Sequence, residues 1–343
     1  MPIRSNRKTE TYYDQFSRSG DVAQSPYPWI FPFGDRGLFL GGQGGSPQEN
    51  REWIDYVNIT TTGDAADFGN LLSGNRAIQG CSNAERGIVG GGSHSPNNII
   101  QYNTIATLGN SIDFGDLTQA RIGVSAAASK TRGVFAGGQP ASPGSVPGGS
   151  GQNTIDYVTI DTTGDASDFG DLVAGGGWNA ATSSPTRGIF GGFYPRNNGV
   201  IDVIEIASKG NAVEFGTLFA NYGSAACSNS VRAIFAGGTH YPGPGYSTGI
   251  QSIIMASDGN ATDFGDTYDG NLTYSSKGVA SQNRGCIIGG RTGTGGAGPT
   301  TEVKTIQAVD LNSGGTATYF GDMARIKNSV KGVSDSHGGL GGY

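Results

Sequence analysis

The apolar residues of this chain come in short bursts that glycine closes. RGLFLGG starts at Arg36, RGIVGGG at Arg86, RGVFAGG at Arg132, RGIFGGF at Arg187, RAIFAGG at Arg232 and RGCIIGG at Arg284. A degenerate copy, HGGLGGY, runs from His337 to the last residue. Each burst is strand-length and bounded by glycine, which predicts a short buried strand. A second phrase follows at a distance. It reads IDYVNITTTGDAADFG from Ile54, IDYVTIDTTGDASDFG from Ile155 and IDVIEIASKGNAVEFG from Ile201, and the other copies end in LGNSIDFG, DGNATDFG and GGTATYFG. Apolar residues alternate with polar ones up to a Gly-Asp or Gly-Asn turn, the pattern of a hairpin. The turn glycine and the later Phe keep one spacing, as in Gly63 and Phe68 or Gly164 and Phe169. A third stretch, such as GVSAAAS from Gly123 or GSAACS from Gly223, holds small residues and suits a strand in a crowded place. No helical stripe appears.

Each period thus predicts four strands: a (small residues), b (RGxFxGG), c (IDYVTI) and d (DFGDL). From Arg36 to His337 six intervals cover 301 residues, about 50 each. Four antiparallel strands per repeat of this length make one propeller blade. The phrase TQARIGVSAAASKTRGVFAGG from Thr118 resembles the kelch repeat, a small-residue strand followed by an apolar strand ending in Gly-Gly. The c–d phrase falls where kelch repeats carry Tyr and Trp, with Phe here in place of Trp. The resemblance implies an all-β, kelch-like β-propeller, similar to the central domain of galactose oxidase. TYYDQFSRSGDVA from Thr11 aligns with IDYVTIDTTGDAS from Ile155. That alignment predicts a ring closed two-plus-two by N- and C-terminal strands, with seven blades. Six blades with an extra C-terminal hairpin is the alternative. Residues 1–11 read as an N-terminal arm carrying Arg4, Arg7 and Lys8, and residues 12–343 as a single propeller domain.

The spacing between landmarks is uneven. The stretch from the strand-b Arg to the turn Gly ranges from 23 to 32 residues, whereas Phe to the next Arg stays within 17–20. Insertions therefore gather in the b–c loops, which leave an antiparallel blade at the same end as the d–a connections. Variable loops on one face of a repeat scaffold are a usual place for binding. On that face the candidate binding residues are Trp53, His94, Trp178, Tyr194, Arg196, Tyr222, His240, Tyr241, Tyr246 and Tyr268. Exposed Tyr, Trp and Arg suit protein contacts or stacking on sugar rings; the competing reading is that several of them cover strand ends.

Composition narrows the classes. The 343 residues include 61 Gly and 14 Pro, a share that signals low complexity unless periodic, and here much of it is periodic. The net charge of −6 argues against a nucleic-acid partner. No apolar run approaches the length of a membrane span, and MPIRSNRKTE has no apolar core of a signal peptide. Three Cys make no disulfide framework, and Cys81, Cys227 and Cys286 read as small core residues.

Several chemical motifs dissolve on inspection. GYSTG at Gly245 lacks the strand–helix setting of a nucleophile elbow, and GTGGAG at Gly293 opens no helix. The recurring DFG is structural. His94, His240 and His337 fall in different places on the ring, so no metal or other cofactor is expected. The repeated Arg reads as a structural partner of the DFG Asp or of backbone carbonyls. The chain is therefore read as non-enzymatic. The wording RGVFAGG, IDYVTI and TTGDASDFGDL is similar to kelch-like proteins of tailed phages, notably those infecting cyanobacteria. That resemblance implies a virion structural or binding module assembled in the host cytoplasm, a tail-fibre or surface adhesin within a symmetric assembly. Its partners would be other virion proteins or a host-surface polysaccharide. The alternatives are a capsid-surface decoration protein, a lectin-like propeller outside a virion, and an oxidase or lyase on a kelch scaffold.

Overall fold

Among the described residues six four-stranded antiparallel sheets stand around a common axis, five built from one sequence repeat each and one from both ends of the described chain. The computed structural model describes residues 36–44, 49–140, 151–194, 199–219, 221–240, 245–268, 277–288, 290–293 and 300–336. In blade 1 strands a to d are Lys331–Ser334, Arg36–Leu40, Trp53–Asn58 and Ala66–Asn70. Blade 2 has Gln79–Ser82, Arg86–Gly90, Ile99–Thr104 and Ile112–Asp116; blade 3 has Ser125–Ala128, Arg132–Ala136, Thr154–Thr159 and Ser167–Asp171. Blade 4 has Ala180–Ser183, Arg187–Gly191, Val200–Glu205 and Val213–Thr217; blade 5 has Ala225–Ser228, Arg232–Ala236, Gly249–Ile254 and Thr262–Asp266. Blade 6 has Lys277–Ala280, Arg284–Ile288, Thr305–Asp310 and Thr318–Asp322.

Among the described residues the ring has six blades, the alternative of the two numbers expected, rather than seven. The C-terminal strand Lys331–Ser334 pairs with Arg36–Leu40, in register Gly37 with Ser334 and Leu40 with Lys331. Closure is therefore one-plus-three, with the C-terminal segment giving blade 1 its innermost strand. That strand also packs against the inner strands of blades 2 and 6, so the circle of six inner strands has no opening for a seventh. The expected seventh b strand at His337, its c and d partners from Thr11, and the domain boundary at residue 11 lie outside the described residues.

Small residues on strand a let six strands meet at the axis. Gly80, Ala126, Ala181, Ala226, Gly278 and Gly332 line a bore of only about 10 Å³. Large apolar residues fill the spaces between blades. Phe68, on strand d of blade 1, clusters with Ile78, Val89 and Ile105 of blade 2. Burying side chains of this size stabilises the ring by about 1.5–3 kcal/mol each.

The Gly-Asp or Gly-Asn of the c–d turn in blades 1 to 5 does more than turn the chain. It holds the previous blade. Gly164 N donates to Phe114 O (2.7 Å) and Ala166 N to Asp116 O (2.8 Å). The side chain of Asp165 accepts in turn from Asp116 N (3.0 Å). Asn110, Asn211, Asn260 and Asp64 do the same for Asn70, Asp171, Thr217 and Asp322. The strand-d glycine is required by this closeness. Gly115 has φ 147°, and a Cβ there would collide with the Gly164 carbonyl. The repeated Arg makes a second tie. Arg86 Nη1 donates to Ile160 O (3.1 Å), Arg132 to Ile206 O (2.7 Å) and Arg284 to Ile59 O (3.1 Å), in each case in the next blade. Backbone carbonyls are thus the partners, and Asp67 pairs with Arg325 (2.9 Å). One face of the ring, formed by a–b and c–d turns, carries the backbone and Arg ties at all six seams and the side-chain cap at five.

Candidate functional site on the b–c loop face

The opposite face starts from the d–a connections, five of which, among the described residues, bend the same way before entering the inner strand. Ala77, Gly123, Trp178, Gly223 and Ser329 occupy one repeat position, and all have φ between 55° and 71°. This left-handed corner favours glycine, so Ala, Trp and Ser there are held by their surroundings. Hydrogen bonds join successive corners into an arc around the axis. Gly123 N donates to Ala77 O (3.0 Å), Trp178 N to Gly123 O (2.8 Å) and Gly223 N to Trp178 O (3.3 Å).

Trp178 is the one large side chain in this arc. Its half-buried ring lies over Gly123, where a Cβ would meet the indole. Its Nε1 donates to Gln139 Oε1 (3.3 Å), in the b–c loop of blade 3. Beside it a cavity of about 20 Å³ opens between Trp178, Asn179, Gly223, Ser329 and Lys331, room for one water. Asn179 Nδ2 donates to Ser125 Oγ (2.8 Å), while its buried Oδ1 has no partner.

Beneath this face two buried cations secure strand ends. Arg121 donates through Nη1 to Gly137 O (2.7 Å) and Thr154 O (2.8 Å), and through Nη2 to Asp156. Lys327, at the same repeat position, donates to Phe39 O (3.2 Å) and Trp53 O (3.1 Å) and pairs with Asp55. Burial pulls both cations below their ordinary pKa values, and the carboxylate partners oppose that pull. In the other four blades the residue in the Asp55 position caps a backbone N–H of the arriving connection: Gln101 for Leu72, Asp202 for Val173, Gln251 for Phe219 and Gln307 for Tyr268.

The ten candidate residues divide into groups rather than one site. Over blades 4 and 5, Tyr194 is half-buried and forms a β-bridge with Gly177, the neighbour of Trp178. Next to them Asn221–Tyr222, Thr239–His240 and Gly245–Tyr246 form a small three-stranded sheet. The side chains of Tyr222, His240 and Tyr246 lie outside the described residues, as do Arg196 and Tyr241 altogether. Over blades 1 and 2, Trp53 is half-buried, with the guanidinium groups of Arg51 and Arg325 at 5.0 and 4.9 Å from its ring centroid. The exposed His94 is held through its backbone N–H by Asn75 Oδ1 (3.1 Å). Asn50 Nδ2 to Ser93 Oγ (3.1 Å) ties the loops of blades 1 and 2 together. Tyr268 stands apart, its ring 6.0 Å from that of Tyr319.

Sequence reasoning missed Arg51, Arg325, Arg121 and Lys327. Arg51 stands two residues before Trp53, near enough along the chain for its guanidinium to reach the ring. The buried cations had a weaker signal, a basic residue at one repeat position in two blades only.

The three thiols are buried. Burial pushes Cys81 and Cys286 up to about 12 and raises Cys227 as well, so at neutral pH they are protonated core groups. Among the described residues no three His, Cys, Asp or Glu side chains are placed to hold a metal ion. Compared with known proteins, the chain matches no family model and no curated protein.

Proposed function

We propose that the chain is a non-enzymatic binding module of a tailed-phage virion, which presents its b–c loop face to another virion protein or a host-surface glycan. The observation that carries this reading is the difference between the two faces. The c–d face spends most of its polar groups on ties that repeat from blade to blade. The b–c face carries added two- and three-stranded sheets, unequal loops, and Trp178 held at a left-handed corner beside Tyr194. Strained backbone that fixes a large aromatic side chain at a ring opening is a feature of ligand-contacting surfaces. The kelch-like phrasing of strands a and b and its similarity to phage proteins supply the virion setting.

Antibody labelling of purified phage particles tests that setting, and particles that lack the chain would remove it. A glycan array and a pull-down of virion proteins test the face. Trp178→Ala together with Tyr194→Ala should abolish whichever binding is found, with the melting curve still cooperative.

A further inference from the structure

A groove on the other side, between blades 4 and 5, lies where a stack repeated in three other blades lacks its ring. In blades 1, 2 and 3 the fourth residue of strand c is Tyr56, Tyr102 or Tyr157. Each ring lies under the strand-b Arg, with the guanidinium carbon at 4.9, 4.7 and 4.7 Å from the centroid. Each also meets the strand-d Phe edge-on, at 6.0, 6.0 and 6.1 Å. This Arg–Tyr–Phe stack is a repeated module whose cation–π and edge contacts favour an aromatic ring.

Blades 4, 5 and 6 lack the Tyr, with Val203, Ser252 and Ala308 in its place. In blades 5 and 6 the Arg still lies over a ring, the strand-d Phe, at 4.8 Å for Arg232 over Phe264 and 5.9 Å for Arg284 over Phe320, the latter equal to Arg132 over Phe169 in blade 3. In blade 4 it does not. Arg187 keeps the tie to the next blade through Met255 O (3.2 Å) and is held outward by Glu205 (2.8 Å) and Asp258 (3.2 Å). Among the described residues it is the one strand-b Arg of the six with no ring beneath it. The space left is a groove of about 250 Å³ lined by Arg187, Val203, Val213, Lys209 and Asn211. Val213, opposite Val203 in the ladder, is 60% exposed. A groove this small suits one ring rather than a drug-sized ligand. Its charges balance, two basic groups against Glu205 and Asp258, which favours an uncharged occupant.

We propose that this groove binds a single hydroxyphenyl ring, seated beside Arg187 and against the exposed Val213, above the buried Val203. The ring comes from a free phenol or from a tyrosine in an exposed peptide segment. The site is on the face away from the b–c loops, so it stands or falls apart from the function proposed above.

Titration of the full chain with p-cresol, read from the ¹³C methyl shifts of Val203 and Val213, tests it. Saturable shifts with a dissociation constant of about 1–10 mM are expected. Val203→Tyr fills the seat from within and should weaken binding, read at Val213, by at least about tenfold. Tyr157→Val opens the same seat in blade 3, and the valine methyls that this substitution introduces should respond to p-cresol. This second variant decides the matter if Val203→Tyr does not fold. Acetyl-Gly-Tyr-Gly-amide separates the two sources: binding roughly fivefold tighter than p-cresol identifies a peptide, equal binding a free phenol. Shifts that stay linear to about 50 mM in the wild type, or unchanged affinity in Val203→Tyr, would overturn the assignment.

Discussion

Lys327 Nζ lies 3.0 Å from Asp55 Oδ2, and neither side chain reaches solvent. Arg121 and Asp156 form the same pair in blade 3, also fully buried. Each cation additionally closes two strand-end carbonyls, so it acts as a plug under the b–c loop face. Lys327→Met would leave the buried Asp55 carboxylate with the half-buried Arg325, 3.3 Å away, as its remaining cation, at a cost of up to about 3 kcal/mol in chemical denaturation. Lys327→Arg should cost much less, because Arg121 performs this task on the same backbone frame. Adding Asp55→Asn to Lys327→Met should recover part of the loss, which a double-mutant cycle measures.

Glycine at the blade seam offers a sharper contrast. Gly115 and Gly164 have similar φ, 147° and 155°, but only the first faces a carbonyl at close range. Gly164→Ala meets nothing within 4 Å and should lose about 1–2 kcal/mol from backbone strain. Gly115→Ala adds a collision that the seam cannot relieve without parting blades 2 and 3. Its loss should exceed that of Gly164→Ala by at least about 2 kcal/mol in urea melts. Equal losses would show that the seam gives way.

How far the sequence discloses this molecule can be followed on particular residues. Strand b is visible because RGxFxGG combines an apolar run with a glycine stop. The crowded inner strand is visible because only small residues meet at an axis. The blade number is not, because HGGLGGY has the look of another strand b while the partner of Arg36–Leu40 is Lys331–Ser334. Pairing between the two ends of the chain leaves no local mark in either segment. The Gly-Asp turn reads as a hairpin signal, and its second task, holding the previous blade, appears only once Asp165 is seen against Asp116 N. On the candidate face, residue type pointed to aromatic groups, but their grouping depends on loop pairing such as Gly177 with Tyr194.

Ring closure by one C-terminal strand makes the chain sensitive at that end. A chain stopping at Val330 would strip blade 1 of its inner strand and expose the edge of Arg36–Leu40 as well as the flanks of blades 2 and 6. An exposed inner edge of this kind invites pairing with another chain. Such a truncation should lose the cooperative melting transition or elute as a higher oligomer in size-exclusion chromatography. A monomer with unchanged melting would contradict the closure.

The buried thiols make stability fall at alkaline pH. Cys81 has its pKa raised from an ordinary 9.0 to about 12 by burial, slightly offset by a backbone hydrogen bond at Val134. Cys286 is raised to about 12 by the same cause. Between pH 9 and 12 the unfolded chain has released these protons while the folded chain keeps them. The unfolded state then binds fewer protons, so stability is fully present below pH 9 and falls as pH rises. The slope is about 1.4 kcal/mol per pH unit for each such thiol. Cys81→Ala should flatten the measured slope between about pH 9.5 and 11 by about that amount, although it lowers stability at neutral pH by leaving a small void. The same burial predicts that Ellman's reagent finds no reactive thiol in the folded chain and three after unfolding. A thiol that reacts within minutes in the folded state would mean that the blade seam at that cysteine opens far more readily than its packing allows.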